Sequence, residues 1–496
     1  ITWAWAAASE SSLPPGLSIA GNVIKGIPPV GSVGSYNVIV TATDSGAPAA
    51  LTSLPYTITI VNPPPPVIAT VPGPPGATLN QPYSFQFQVS GYAPAISETG
   101  TLPPGLAPLT ETGLLAGTPT SANLYPITVH ATDPVGQSTS QGFTIGVFQH
   151  GFSPTGAMRA IRTAHTATLL ANGQVLVTGG LSNENGFNWY NSSELFTPTN
   201  GQFATAGALQ VARADHTATL LCDLAALPCT NPRLLVVGGQ AAAGAIASAE
   251  LYDPTSAAFT LTAGNLATAR YGHTATRLLS GKVLIAGGNT TAGTVNIGSV
   301  ASAELFDPAT GAFHATATPM ASARFFHSAT LLPDGRVLIA GGVVAGGAHL
   351  DSADLFDPVT ETFSTIPRPM TVAREGHTAT LLPSGKVLIA GGLDASGASI
   401  ADAEIYDPAA VAPAASFTMT GTLVTPRWNH MAALLPSGQV LLVGGSTFDQ
   451  QNLQHAELYD PASGLFASTG GMQTARRTHT LTSLGSNGQV LVVGGD

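Results

Sequence analysis

The sequence predicts an all-β chain: two β-sandwiches, the first incomplete, followed by a seven-bladed β-propeller. Three observations carry that expectation. A unit recurs seven times between residues 150 and 496, its copies 49 to 57 residues apart. A second repeat, with offsets of 89 to 91 residues, fills residues 1–149. Apolar runs of strand length alternate throughout with Gly, Pro, Asn and Asp turn signals.

The larger unit reads R-x-x-H-[TS]-A-T-L-L-x-x-G-x-V-L-x-x-G-G. Its arginines are Arg162, Arg213, Arg270, Arg324, Arg374, Arg427 and Arg476. Its histidines are His165, His216, His273, His327, His377, His430 and His479. Each copy closes on a glycine pair, from Gly179-Gly180 to Gly494-Gly495. A block of the form A-E-L-Y-D-P follows six of the seven, with a Phe six residues past the Asp, as in Asp253 and Phe259. Read in order, these are four strands: H-T-A-T-L-L, G-x-V-L-x-x-G-G, A-E-L-Y-D, and a fourth run through the Phe. The paired glycines allow positive φ and close backbone approach, and D-P marks a turn.

The seventh copy stops at Asp496 after two strands, while residues 151–158 match the fourth-strand stretch 465–472. The last blade is therefore expected to share N- and C-terminal strands, and the propeller is assigned residues 150–496. Ring closure of that kind leaves only short, protected edges.

The period, the double glycine and the Y-D element together resemble the kelch repeat over this whole stretch. The wording A-E-L-Y-D-P and L-L-P-x-G-K-V-L is similar to the galactose-oxidase-like branch and its bacterial relatives. One departure is that the usual fourth-strand Trp is Phe: Phe203, Phe259, Phe313, Phe363, Phe417 and Phe466.

In the N-terminal third, Leu13-Pro14-Pro15-Gly16-Leu17 recurs as Leu102-Pro103-Pro104-Gly105-Leu106. Thr41-Ala42-Thr43-Asp44 recurs as His130-Ala131-Thr132-Asp133. Runs such as Tyr36-Asn37-Val38-Ile39-Val40 alternate as half-buried strands do. Each copy resembles the bacterial Ig-type, cadherin-like β-sandwich. The domains are residues 1–62 and 67–148, joined by a semi-rigid polyproline spacer, Pro63 to Pro66. The first copy lacks the stretch that matches residues 67–89, so the chain is expected to begin within a domain. A strand lent by a neighbouring chain is the alternative.

Composition narrows the function. Only 9% of residues are charged, and the net charge is −11. That charge disfavours sequence-independent binding to nucleic acid and docking on anionic lipid. No apolar run reaches the roughly 18–20 residues of a membrane span. The two cysteines, Cys222 and Cys229, share one loop. A lone C-x6-C is a poor zinc site, so a disulfide stapling a hairpin insert is expected, with two free thiols as the alternative. A disulfide favours an oxidising compartment.

The repeated residues read as scaffold. Glu194, Glu250, Glu304, Asp354, Glu404 and Glu457 occupy one acidic position of the repeat, which suits Arg–carboxylate pairing and histidine hydrogen bonds between strands and blades. Metal binding by a ring of histidines is the competing reading. At the sandwiches Asp44 and Asp133 stand almost alone, too few for calcium, and read as turn formers. The resemblance to galactose-oxidase-like proteins implies a copper site made of two His, a Tyr and a Tyr–Cys pair. Cys222 and Cys229 are the only cysteines, and Tyr252, Tyr406 and Tyr459 belong to the repeated core element.

Positions that differ between blades are the candidate ligand site. Between each Arg and His lie two variable residues, which include Asp215, Tyr271, Phe325, Phe326, Glu375, Trp428, Asn429 and Arg477. By kelch geometry the loops after the double glycines open on the same face, and the first holds Asn185, Asn188, Trp189 and Tyr190. The resulting expectation is a bacterial extracellular or cell-surface recognition or adhesion protein, not an enzyme, without cofactor or metal. It binds a carbohydrate or protein ligand through propeller loops. The alternatives are a structural subunit that self-assembles into a filament or surface array, and a galactose-oxidase-like enzyme.

Overall fold

The structure, a computed structural model, describes residues 2–5, 13–20, 23–43, 51–69, 74, 77–80, 82–121, 123–148, 151–183, 187–221, 232–291, 298–410, 416–485 and 488–496. Regular structure among them is all strand, with no helix; none is therefore long and apolar enough to cross a membrane. Asp44, Asn185, Cys222 and Cys229 lie outside the described residues, and with them the expected disulfide. The chain divides into two units, Ile1–His150 and Gly151–Asp496.

In the first unit the second sequence copy builds a sheet of Ala95–Gly100, Asn123–Thr132, Ser138–Phe148 and Ala77–Thr78. Two short pairs accompany it, Leu114–Gly117 with Tyr83–Gln86 and Val67–Ile68 with Val89–Ser90. Tyr125, Ile127, Val129 and Ala131 are all buried, the every-second-residue pattern of a strand with one face on a core. Phe87 sits at the centre of that core, 5.0 Å from the Phe85 ring and 5.1 Å from Phe143. The first copy repeats the long hairpin, Gly34–Thr43 with Leu51–Ile60, and Thr2 opposes Thr43 as Ala95 opposes Thr132. Its Val23–Gly26 pairs with Leu17–Ala20. No described strand of the first copy stands in for Tyr83–Gln86, and Leu54 and Tyr56 on its hairpin are exposed. Asp133 is a turn former: its Oδ1 accepts the Val135 and Gln137 amides at 3.0 and 2.8 Å, and its Oδ2 accepts Gln137 Nε2 at 2.9 Å.

In the second unit each complete repeat folds into one antiparallel four-stranded sheet in sequence order. The second, for example, is Thr217–Leu220, Leu234–Val237, Ala249–Asp253 and Ala258–Leu261. Six sheets are of this kind, and Thr480–Ser483 with Val490–Val493 form a two-stranded seventh. First strands of successive sheets lie side by side around a ring, and Thr480–Ser483 lies beside Thr166–Leu169 to close it. Second strands such as Val283–Ala286 are buried throughout, because aliphatic residues on both faces pack against neighbouring sheets. Burying each such side chain stabilises by about 1.5–3 kcal/mol. The third and fourth strands face each other through an aromatic pair, as in Tyr252–Phe259 at 4.8 Å and Phe306–Phe313 at 4.9 Å, so Phe fills the place of the usual Trp.

The glycine pairs are steric necessities. Gly179 (φ 64°) and Gly180 (φ 92°) are left-handed. A Cβ on Gly179 would lie 2.6 Å from the Arg213 carbonyl oxygen, and one on Gly180 2.8 Å from His165 Cβ. Neighbouring sheets approach this closely only without side chains there.

The seventh sheet corrects one expectation. Residues 151–158 form no strand and do not pair with the C-terminal strands. A fourth strand builds its ladder on a third, and among the described residues no third strand flanks Val490–Val493. The segment packs instead through side chains: Phe152 against the cluster of Leu441, Val443 and Met472, and Met158 against that of Val175, Phe196 and Leu491.

Candidate functional site

The repeated Arg and acid meet in six sheets. Arg213 Nη2 donates to Glu250 Oε1 at 2.8 Å, and Arg162–Glu194 (3.0 Å), Arg270–Glu304 (3.0 Å), Arg324–Asp354 (3.1 Å), Arg374–Glu404 (2.8 Å) and Arg427–Glu457 repeat the contact. All of these side chains are buried. Arg213 Nη1 also donates to the Gly238 and Ser248 carbonyls, at 2.8 and 2.9 Å. The second oxygen of Glu250 accepts the Gln210 amide at 2.8 Å. Burial pulls the Arg213 guanidinium below its ordinary value, and Glu250 opposes this. Satisfied on every side, the pair welds the third strand to the segment that enters the first.

The histidines join one sheet to the next. His216 Nε2 bonds Thr166 Oγ1 (3.0 Å), His273 bonds Thr217 (2.9 Å), His327 Thr274 (2.9 Å), His377 Ser328 (2.8 Å) and His430 Thr378 (2.9 Å). His165 bonds Thr480 at 3.0 Å and closes the ring. The seventh link is missing. Met431 occupies the hydroxyl position, and His479 Nε2 is buried without a partner among the described residues. Burial, reinforced by the nearby Arg, pushes His165, His273, His377 and His479 down to about 3. It pushes His216, His327 and His430 well below the ordinary value. These imidazoles are neutral at physiological pH.

Above the histidines the variable residues form the mouth of the ring. The residue before each His is left-handed: Ala164 (φ 52°), Asp215 (51°), Gly272 (61°), Phe326 (51°), Gly376 (59°), Asn429 (50°) and Thr478 (50°). Each amide donates to the carbonyl of its counterpart one sheet earlier: Asp215 to Ala164 at 2.9 Å, Phe326 to Gly272 at 3.0 Å, Asn429 to Gly376 at 2.9 Å and Thr478 to Asn429 at 3.2 Å. Thr163 and Thr478 hydroxyls, 2.6 Å apart, bridge the remaining gap. The result is a backbone collar around the axis. An open recess of ≈ 230 Å³ is lined by four collar residues, Ala164, Asp215, Gly272 and Phe326, and by four of the histidines. Nothing in the repeat motif announced this collar. Its signal was the tolerance of Gly, Asn and Asp for positive φ at four of the seven positions.

The expected ligand residues divide. Tyr271 and Phe325 are buried and cannot touch a ligand at the surface. Each forms a two-residue bridge with the residue after a double glycine, Asn289 and Val343, as Glu375 and Trp428 do with Leu393 and Ser446. Tyr190 is built into the wall, its hydroxyl on Ser182 at 3.1 Å and its ring under Arg162 at 5.2 Å. Trp189 is half-buried in a short hairpin with Leu181, and Asn188 there is exposed. Asp215, Phe326, Glu375, Trp428, Asn429 and Arg477 come together on the mouth. Burial raises the Asp215 carboxyl, whose Oδ2 accepts Gln240 Nε2 at 2.7 Å. Glu375 lies 3.1 Å from His349. Arg477 stacks over Trp428 at 5.6 Å and pairs with Asp496 at 3.3 Å. The Trp428 indole N–H has no acceptor among the described residues. Phe326 is 43% exposed, and two loop residues the motif did not reveal, Phe187 (72%) and Phe448 (66%), add apolar surface.

The described residues do not fit the copper site that the family resemblance implies. No three His, Cys, Asp or Glu side chains among them converge, six of the ring histidines spend Nε2 on hydroxyls, and Tyr252, Tyr406 and Tyr459 are core.

Fold and mouth together define an all-β protein in which Ig-like sandwich sequence precedes a ring of sheets with a variable opening. Comparison with known proteins bears on both parts. The family model described as "Putative Ig domain" matches residues 1–61 and 65–148. No curated protein matches. Among 321 similar chains of solved structures, one described as "Structure of YjhT" is 13% identical, with TM-score 0.49, covering 64% of this chain and 99% of that one. Another, a fungal alcohol oxidase of the AA5 family in complex with copper, is 19% identical, with TM-score 0.52, covering 66% of this chain and 69% of that one. That likeness is one of fold alone. It still overturns the expectation that the chain is not an enzyme, because this scaffold carries catalysis in a solved relative of its fold.

Proposed function

We propose that the chain is a bacterial extracellular or cell-surface recognition protein. In this reading residues 1–62 and 67–148 are Ig-like spacers, and residues 150–496 are a seven-bladed kelch propeller that binds a carbohydrate or protein ligand at its mouth. Ig-like domains are typical of extracellular proteins, and the match across residues 1–148 supports that setting.

The mouth is the observation that carries the reading. Exposed aromatic surface at Phe326 and the half-buried Trp428–Arg477 stack accompany the carboxylates of Asp215 and Glu375 and the amide of Asn429. Binding sites combine apolar surface with a few convergent polar groups in this way. Aromatic faces bounded by hydrogen-bonding groups suit sugar rings as well as peptide side chains. A left-handed backbone at a bulky residue such as Phe326 costs on the order of 1–3 kcal/mol and clusters at functional sites; here it holds the ring outward.

A glycan and peptide array probed with residues 1–496 tests this. A positive feature should be lost in Trp428→Ala and in Phe326→Ala. If both variants bind as the parent does, the mouth is not the site.

A further inference from the structure

The open recess at the mouth holds one carboxylate beside one exposed aromatic ring. Asp215, Gly272 and Phe326 follow one another around the collar and line part of it. Their amides are spent on the collar itself: Asp215 donates to the Ala164 carbonyl at 2.9 Å, Gly272 to Asp215 at 3.2 Å and Phe326 to Gly272 at 3.0 Å. The four recess histidines add no charge. Each is neutral, with Nε2 on a hydroxyl of a neighbouring sheet and Nδ1 buried.

Asp215 is thus a carboxylate without a counter-charge. Its hydrogen bond from Gln240 Nε2, at 2.7 Å, comes from an uncharged group, and it forms no ion pair among the described residues. The arginines of these four sheets, Arg162, Arg213, Arg270 and Arg324, each hold a third-strand acid of their own. Burial raises the Asp215 carboxyl, the sign of a charge short of compensation. Two steps along the collar, Phe326 is 43% exposed, and its ring packs on buried Phe325 at 5.1 Å. That ring overhangs Gly272, where a Cβ would meet it at 3.0 Å. Because Gly272 lies between the two residues, the ring leans along the collar toward Asp215.

We propose that this recess seats an arginine side chain of a protein ligand, its guanidinium paired with the Asp215 carboxylate and its flat face against the Phe326 ring. A guanidinium does both at once: it is planar and weakly hydrated, forks onto a carboxylate and stacks on an aromatic face. An ammonium is a compact, strongly hydrated point charge, and a neutral sugar leaves the carboxylate uncompensated. The inference rests on the mouth as the binding face and adds which group enters it.

The test uses the chain 1–496 and two small probes, Nα-acetyl-arginine N-methylamide and its citrulline counterpart, which keeps the shape and loses the charge. Saturation-transfer NMR titrations should show the arginine probe binding at least about tenfold more tightly. Asp215→Asn should bring the arginine probe down to the level of citrulline, and Phe326→Ala should weaken it roughly two- to fivefold. Both substitutions suit their positions, because Asn429 and Ala164 occupy equivalent left-handed places. Thermal unfolding of each variant checks that the ring is intact; if Asp215→Asn lowers the midpoint, the comparison of the two probes on the parent chain decides alone. Equal binding of the two probes overturns the proposal. So does arginine binding that a folded Asp215→Asn leaves unchanged, and so does the absence of binding by either probe. The mouth itself is judged separately on the glycan and peptide array. Features lost in Trp428→Ala but indifferent to an exchange of arginine for citrulline would keep the mouth as the binding face and remove the arginine.

Discussion

The seventh sheet and the six before it share the same R-x-x-H sequence and differ in what surrounds it. In the six, Arg and His are the ends of a closed network: the acid of the third strand neutralises one, and a hydroxyl of the preceding sheet engages the other. In the seventh, no acid among the described residues meets Arg476, and His479 faces Met431. A motif therefore identifies a blade without guaranteeing the interactions that make the motif worth having. Those depend on partners supplied by strands elsewhere in the chain.

The comparison can be broken or sharpened at several points. The largest effect is expected from acid, because all seven sheets share the buried neutral imidazole. A histidine held near 3 in the fold, against 6.5 for the ordinary group, contributes stability that is fully present above about pH 6.5. That stability is lost as pH falls toward 3, where the unfolded chain takes up the proton first. Unfolding of the ring monitored against pH should be steep between those values, at up to about 1.4 kcal/mol per pH unit for each histidine. A shallow transition drawing on a single proton would contradict the shared burial.

Next comes Glu250→Gln, which leaves Arg213 buried without a counter-charge and should cost about 3–5 kcal/mol in chemical denaturation. A loss under 1 kcal/mol would mean that the pair is not the weld it resembles. Smaller again is the missing link. Met431→Thr should favour the fold by about 0.5–1.5 kcal/mol more in the parent than in a His479→Phe background. Absence of that coupling would remove the hydroxyl–imidazole link as a reason for the repeated Thr. Smallest is Trp428→Ala, a half-buried mouth residue outside both networks. It should change stability by no more than about 0.5 kcal/mol while removing ligand binding.

Much of this architecture was legible in the sequence, for a physical reason. Residues repeated in every blade answer to the same local geometry, so Arg213, His216, Glu250 and Gly238-Gly239 could be paired on paper. The mouth was harder. Tyr271 and Phe325 vary between blades just as Glu375 and Trp428 do, and all four form the same backbone bridge; the first two are buried and the last two half-buried, a difference set by the surrounding packing, which the repeat does not record. Phe187 and Phe448 lie in loops that keep no register with the repeat. The match of residues 151–158 to a fourth strand is reflected in packing, through Phe152 and Met158. It is not reflected in pairing, because pairing needs a third strand to build on.

The account rests on the claim that third-strand acids separate six sheets from the seventh. Replacing each repeated Arg in turn by Gln, and measuring unfolding free energy in urea, tests it directly. The prediction is a large loss, about 3–5 kcal/mol, for Arg162, Arg213, Arg270, Arg324, Arg374 and Arg427, and at most about 1 kcal/mol for Arg476, which gives up one hydrogen bond. An equal loss at all seven positions, or a small loss at Arg213, would contradict it.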